Sequence, residues 1–279
     1  MEKYSLLPEQ LIYEGICKED QFFKPEIIGI RDLELVHTTP YIHDVLECKM
    51  DPSMIRRIGL PLSALLVERE RRIMKGTIDA ALYALQYGLA YNIAGGTHHA
   101  FADRGEGFCI FNDNAIAAQY LIQSQKANKI LIVDLDVHQG NGTAAIGKGN
   151  NQIFTFSMHG ANNYPFHKET SDLDIPLPDG CPDVIYHELL DRHLPRLIDL
   201  VEPDFIFYQC GVDILGDDKM GRLNCTLKGC MERDRKVLQL AYRHRIPIVC
   251  DMGGGYAANI KTILEAHVNT YRIGMEFFA

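Results

Sequence analysis

The segment Asp134-Leu135-Asp136-Val137-His138 closes the apolar run Lys129–Val133. In an extended chain alternate residues share a face, so Asp134, Asp136 and His138 are expected to project into one small volume. Two buried carboxylates repel each other and lose hydration, and a cation between them offsets both effects. Asp213 ends a second apolar run, Phe205–Cys210, and stands just after Gly211. Asp136, His138 and Asp213 together would give three ligands and leave a coordination position open, as a catalytic metal site requires. Two carboxylates and one imidazole do not single out zinc; Fe2+, Mn2+ and Co2+ also suit such a set. Asp134 lies one strand step deeper. It is expected to accept from a histidine N–H, to help hold a structural monovalent cation with nearby carbonyls and Ser157, or simply to be tied down by backbone amides.

Other residues of chemical potential accompany this set. His98 and His99 stand in tandem after a glycine pair in Gly95-Gly96-Thr97-His98-His99-Ala100-Phe101. A lone histidine is usually a satisfied structural residue, whereas a tandem beside a metal suggests an acid–base pair. His99 is expected to move the proton of an attacking water to a leaving amine, and His98 to orient water and stabilise charge. Each ring needs an acceptor behind it, and Asp134 and Asn141 are the candidates. An Asn holds a ring without supplying negative charge, so its histidine should be the less basic. Gly253, Gly254 and Gly255 let the backbone approach a ligand closely, and Tyr256 after them can offer a hydroxyl to a developing oxyanion. Phe108 and Tyr164, aromatics in loops, are expected to wall a narrow channel for an aliphatic stem.

These residues need a scaffold that collects them. Ser63 is expected to cap a long helix running to about Tyr87, and Asn112 or Asp113 to cap a helix over Asn114–Gln125. Apolar strands are expected at about 129–136, 152–159, 203–213 and 246–252, with a shorter one at Ala90–Gly96. They alternate with helices over about 183–201 (with a bend at Pro195), 226–245 and 257–268. Continuous apolar strands between amphipathic helices indicate an α/β fold: a single open parallel sheet covered on both faces. Every polar cluster falls at the C-terminal end of a strand, where such sheets bind ligands. The first 60 residues read as irregular with short helical pieces.

Composition narrows the function classes. The 279-residue chain is 47% hydrophobic, ordinary for a globular protein. Its net charge of −9, from 37 acids against 28 Lys and Arg, argues against nucleic-acid binding. The eight cysteines include no CxxC pair and several sit in apolar runs, which reads as buried thiols in a reducing, cytoplasmic setting. No apolar run reaches the roughly 18 residues of a membrane helix. The triple glycine lacks the spacing of a nucleotide-binding loop.

The motifs "GGTHHAF", "GEGFCIFND", "DLDVHQGNGT", "QCGVD" and "GGGY", in this order, resemble the zinc-dependent histone deacetylase superfamily. "HQGNG", "LPEQLIYEG" and "RRIGLPLS" resemble its class IV branch and bacterial relatives. The resemblance spans the chain and implies one catalytic domain over 1–279 of the arginase/deacetylase fold. It implies hydrolysis of an N-acyl amine, most often acyl-lysine in a protein or peptide. A deacetylase of small acylated amines such as acetylpolyamines, or a non-catalytic acyl-amine binder, are the alternatives. Carried over by motif, Asp136, His138 and Asp213 match the Zn2+ ligands, His98 and His99 the catalytic pair, and Tyr256 the transition-state tyrosine. Asp134, Asp136, His138, Ser157 and Met158 match an inner K+ site. Phe108 and Tyr164 match the channel walls, and Gly107 the carbonyl that meets the substrate nitrogen. Asn141 stands where class I members have Asp. The family usually has a strand and loop before the position of Met1, and without that piece an exposed sheet edge is expected.

Overall fold

A computed structural model describes residues 2–278. Six parallel strands form one open sheet: β1 (Leu89–Asn92), β2 (Ile130–Asp134), β3 (Ile153–Gly160), β4 (Leu173–Leu177), β5 (Phe205–Gln209) and β6 (Ile248–Asp251). Their spatial order is β1-β6-β5-β2-β3-β4. The helices are α1 (Lys3–Tyr13), α2 (Ile30–Leu33), α3 (Thr39–Leu46), α4 (Pro52–Ile58), α5 (Ala64–Tyr87), α6 (Asp113–Gln123), α7 (Asn141–Gly147), α8 (Asp183–Val201), α9 (Leu227–His244) and α10 (Ile260–Phe278).

The central strands are apolar on both faces because both are covered. Leu131 and Val133 of β2, Ile206 and Tyr208 of β5, and Ile248 and Cys250 of β6 face one core, shared with α8, α9 and α10. The alternate residues Ile130, Ile132, Phe205, Phe207 and Val249 face the other, shared with α3, α5 and α6. The period of two in the strands thus divides the sequence between two helical layers. A smaller cluster joins Leu7 and Leu11 of α1 to Met252 and to Val268 and Tyr271 of α10.

The caps follow the sequence. Ser63 Oγ accepts from the Leu66 N–H at 3.2 Å and starts α5. Asn112 Oδ1 accepts from Ala115 N–H at 3.1 Å and starts α6; Asp113 instead accepts from the Gly96 and Thr97 N–H groups, pinning the loop ahead of the histidine pair.

Four expectations need correction, the first being the strand over 203–213, which spans only Phe205–Gln209 because the chain leaves the sheet where Gly211 passes against the Asp136 carboxylate. The strand over 129–136 stops at Asp134, so the strict alternation beyond it does not hold and Asp134 diverges from Asp136 and His138. The short strand expected at Ala90–Gly96 ends at Asn92, where an Asn92 carbonyl–Gly95 N–H turn takes over. The closing helix extends to Phe278 because its apolar face continues through Tyr271 and Ile273. The edge strand β4 and the short α7 carry no clear sequence signal: β4 contains Pro176 and is only partly buried, and α7 is seven residues with two glycines.

Parallel register aligns the strand tips: Asp134 pairs with Ser157 on one side and Gln209 on the other, and Gln209 pairs with Asp251. From β2 the chain winds outward through β3 to β4, and from β5 it winds the opposite way to β6. The crevice between β2 and β5 is therefore the topological switch point, where ligands of open α/β sheets bind.

Candidate active site

Asp136 and His138 follow β2, and Asp213 follows β5, so the three meet across the switch point. His138 Nδ1 lies 3.0 Å from Asp136 Oδ1 and 3.1 Å from Asp213 Oδ2. One ligand atom from each residue falls within 4.8 Å of the others, and all three residues are buried. The carboxylates are held from behind by backbone donors. Val137 N–H donates to Asp213 Oδ1 at 2.9 Å, and Gly254 N–H to Asp136 Oδ2 at 2.9 Å. Burial opposes charge on His138, yet hydrogen bonds to Asp136 and Asp213 push its imidazole up to about 10. Burial and the neighbouring Asp136 push Asp213 up to about 7. Two buried carboxylates set against one imidazole, with backbone donors only behind them, are short of positive charge. A divalent cation supplies that charge, and the one-nitrogen, two-oxygen donor set fits it.

Asp134 turns away from this cluster. Its Oδ2 pairs with His98 Nδ1 at 2.8 Å, while its Oδ1 accepts from Asp136 N–H at 3.2 Å. His99 Nδ1 sits 2.7 Å from Asn141 Oδ1, at the first turn of α7. The two rings lie 4.1 Å apart between centroids, and His99 meets the His138 ring edge-on at 6.0 Å. The partners divide their basicity. Burial lowers His98, but the Asp134 carboxylate outweighs it and raises the ring overall. Burial, reinforced by His98 and His138, drives His99 well below its ordinary value, and Asn141 returns little. His99 is therefore the neutral imidazole of the pair.

The glycine loop closes the cluster opposite the histidines. A Cβ on Gly254 would overlap Asp213 Oδ2, and Gly253 holds a φ of +61°, so this approach of backbone to carboxylate requires glycine. Tyr256 follows, its N–H donating to Asp218 Oδ2 at 2.6 Å. Burial first, then the charges of Asp213 and Asp136, keep its hydroxyl protonated and therefore a donor. Across the opening, Phe108 is exposed, with its ring 6.5 Å from Tyr256. Tyr164 packs edge-on against His99 at 4.9 Å. Gly107 is left-handed at φ +56°, and a Cβ there would come within 2.6 Å of the His99 ring.

Two more of the residues matched to a potassium site lie on β3. Ser157 stands beside Asp134 in register and its hydroxyl lies 2.9 Å from His159 Nδ1, while Met158 is fully buried.

The histone deacetylase domain family matches residues 1–271, nearly the whole chain. The chain belongs to this family. An uncharacterized protein of Picosynechococcus sp. is 43% identical over 278 residues, covering 100% of this chain and 93% of that one. Histone deacetylase 2 of Arabidopsis thaliana is 29% identical over 285 residues, covering 98% of this chain and 73% of the relative. Among solved structures, an HDAC homolog complexed with SAHA superposes with a TM-score of 0.84 at 24% identity, covering 97% of this chain and 77% of the other. Acetylpolyamine aminohydrolase from Burkholderia pseudomallei gives 0.77 at 22% identity, with coverage of 98% and 89%. At those identities the two structures establish a shared fold. The family assigns the chain to the deacylating hydrolases.

Within this histone deacetylase fold, three further residues that the sequence alone does not single out lie near the centre, although Glu106 stands inside the GEGFCIFND motif. Lys3, on α1, is buried and its Nζ donates to the Gly253 carbonyl at 3.0 Å while lying 5.3 Å from the centre of the Tyr256 ring. Arg233 of α9 is fully buried, donating to the carbonyls of Leu135 at 3.2 Å, Gly211 at 2.5 Å and Cys210 at 3.2 Å, and pairing with Asp234. It braces both strand tips that bear the acids. Glu106 reaches Asn141. The Gly253 carbonyl that Lys3 meets and the strand-tip carbonyls that Arg233 meets are far from them in sequence, so spacing alone cannot reveal those two.

Proposed function

We propose that the protein hydrolyses the amide of an N-acyl amine, foremost acyl-lysine in proteins or peptides, with one divalent ion, Zn2+ being the first candidate, held by Asp136, His138 and Asp213. The observation that carries this reading is the convergence of that buried donor set with His99, backed by Asn141, and Tyr256 beneath an aromatic mouth. A bound divalent ion supplies Lewis-acid polarisation of the acyl carbonyl and of the attacking water.

The chain's own residues do the rest. Phe108 and Tyr164 flank an aliphatic stem, and the Gly107 carbonyl accepts from the substrate N–H. His99 Nε2 takes the proton of the attacking water and delivers it to the departing amine nitrogen. His98, whose charge Asp134 stabilises, orients the water and steadies negative charge nearby. The Tyr256 hydroxyl donates to the developing oxyanion. Lys3 keeps the glycine loop in place beneath that tyrosine. A structural K+ on Asp134, Asp136, His138, Ser157 and Met158 belongs to the same reading, as does placement in the class IV-like branch.

The test is turnover of acyl-lysine peptides of several acyl lengths alongside free acetylpolyamines. Hydrolysis of the peptides supports the reading, and preference for the free amines moves the substrate to small acylated amines. Tight inhibitor binding with no turnover of any substrate overturns catalysis in favour of binding alone.

A further inference from the structure

We infer that Glu106 is a positioning residue for His99, acting through Asn141 to fix which ring nitrogen carries the proton. The inference rests on the hydrolytic reading above and names a residue that reading does not use.

Glu106 sits in the loop between β1 and α6, where an antiparallel bridge to Cys109 ties its backbone. Its Oε1 accepts from Asn141 Nδ2 at 2.5 Å, and Asn141 Oδ1 faces His99 Nδ1 at 2.7 Å. The two contacts form one chain, Glu106–Asn141–His99. A carboxamide is nearly symmetric in shape, and turned over it presents N–H where oxygen was. Facing His99 with its N–H, Asn141 would force the ring to accept at Nδ1 and carry its proton at Nε2. That tautomer cannot take a proton from water at Nε2. Asn141 alone does not choose between the two orientations. Glu106 does, because a carboxylate only accepts and so selects the orientation with the amide nitrogen toward itself. His99 Nδ1 must then be the donor, and its Nε2 lone pair is free.

The arrangement also compensates for a neutral partner. Asp134 touches the His98 ring directly, whereas His99 has only an amide. A hydrogen bond to an ionised acceptor polarises the amide and makes Oδ1 a stronger acceptor for the ring N–H. The same carboxylate neighbours Tyr164. After burial, the charge of Glu106 is the main influence that raises the Tyr164 hydroxyl.

A double-mutant cycle on the full-length metal-loaded protein tests this. Glu106→Gln should lower kcat by about 10- to 100-fold, the range for residues that orient a ligand or catalytic group from behind, with KM little changed and the melting temperature retained. In an Asn141→Asp background a carboxylate faces His99 directly and no amide remains to orient. There Glu106→Gln should leave kcat unchanged or raise it, by removing repulsion between two acids. Equal fractional losses in both backgrounds, or wild-type kcat in Glu106→Gln, would overturn the inference. Should Glu106→Gln fail to fold, the 15N-edited histidine spectrum of the wild type decides, with the His99 signals assigned by their loss in His99→Gln. A proton on Nδ1 supports the inference, and a proton on Nε2 contradicts it. Wild-type inactivity on every acyl substrate would sink the hydrolytic reading, yet leave this spectrum to judge Glu106 separately.

Discussion

His98 and His99 are adjacent in sequence and equally buried, yet the groups behind them set them apart. Asp134 supplies a full negative charge to one ring and Asn141 a dipole to the other. On the proposed reading, that difference makes His99 the general base: a ring that stays neutral can accept a proton, whereas a charged one serves by its charge. His99→Ala is expected to reduce kcat by about 10²- to 10⁴-fold, measured on an acyl-lysine peptide. Tyr256→Phe removes the oxyanion donor and should cost about 10²- to 10³-fold without releasing metal. Wild-type rates in either variant would remove the residue from the reaction. At this scale the contacts behind the two histidines and the Asp136, His138 and Asp213 cluster were legible, because such groups stand in distinct motifs. Its one misdirection concerned Asp134. Alternation predicted a common direction with Asp136 and His138, but β2 ends at Asp134 and the chain turns. The side chain meets His98, as the expectation of a histidine partner for Asp134 had it.

Among the elements, the strand tips are positioned by parts that the motifs do not contain. Arg233 lies on α9, and its guanidinium holds the carbonyls of Leu135, Cys210 and Gly211 at the ends of β2 and β5. Replacing it takes the paired cation from buried Asp234, which keeps only the Tyr208 and Thr270 hydroxyls as donors, and removes the guanidinium from these carbonyls. Arg233→Met is expected to cost about 3–5 kcal/mol in chemical denaturation, and an unchanged midpoint would show that the brace is dispensable. The glycine loop has a narrower role. In Gly254→Ala the new methyl would collide with Asp213 Oδ2, so metal affinity should fall by about 10- to 100-fold while the sheet stays folded. Titration of chelated protein followed by elemental analysis measures it. Strong apolar runs and caps such as Ser63 and Asn112 made most elements readable. β4 and α7 were not, because their formation depends on neighbours already in place: β4 on pairing with β3, and α7 on packing against β3 and α6.

For the molecule as a whole, the two-layer arrangement buries groups whose ionisation couples folding to pH. His37 lies between the sheet-covering helices, its Nε2 accepting from Asn112 N–H at 3.0 Å at the start of α6. Burial pushes its imidazole down to about 4, from an ordinary 6.5. Between those values the unfolded chain binds a proton that the folded chain refuses, so the contribution to stability is intact above about 6.5 and is lost as pH falls toward 4. His37→Phe should therefore flatten the acid side of the stability profile by up to about 3 kcal/mol, read from urea midpoints across that window; parallel profiles would contradict the assignment. The parallel architecture itself was legible in the alternation of apolar strands with amphipathic helices. The strand order was not, since it depends on which crossovers the chain takes.

That order is what brings Asp213 to Asp136 and His138, and the whole account depends on the ion they would share. The decisive measurement is hydrolysis of an acyl-lysine peptide by chelated protein as Zn2+ or Fe2+ is returned, with bound metal counted in the same samples. The account predicts that activity rises from nil and saturates at one essential ion per chain, and that Asp213→Asn abolishes both the binding and the rate. Full activity in metal-free protein, or undiminished metal-dependent turnover in Asp213→Asn, would contradict it.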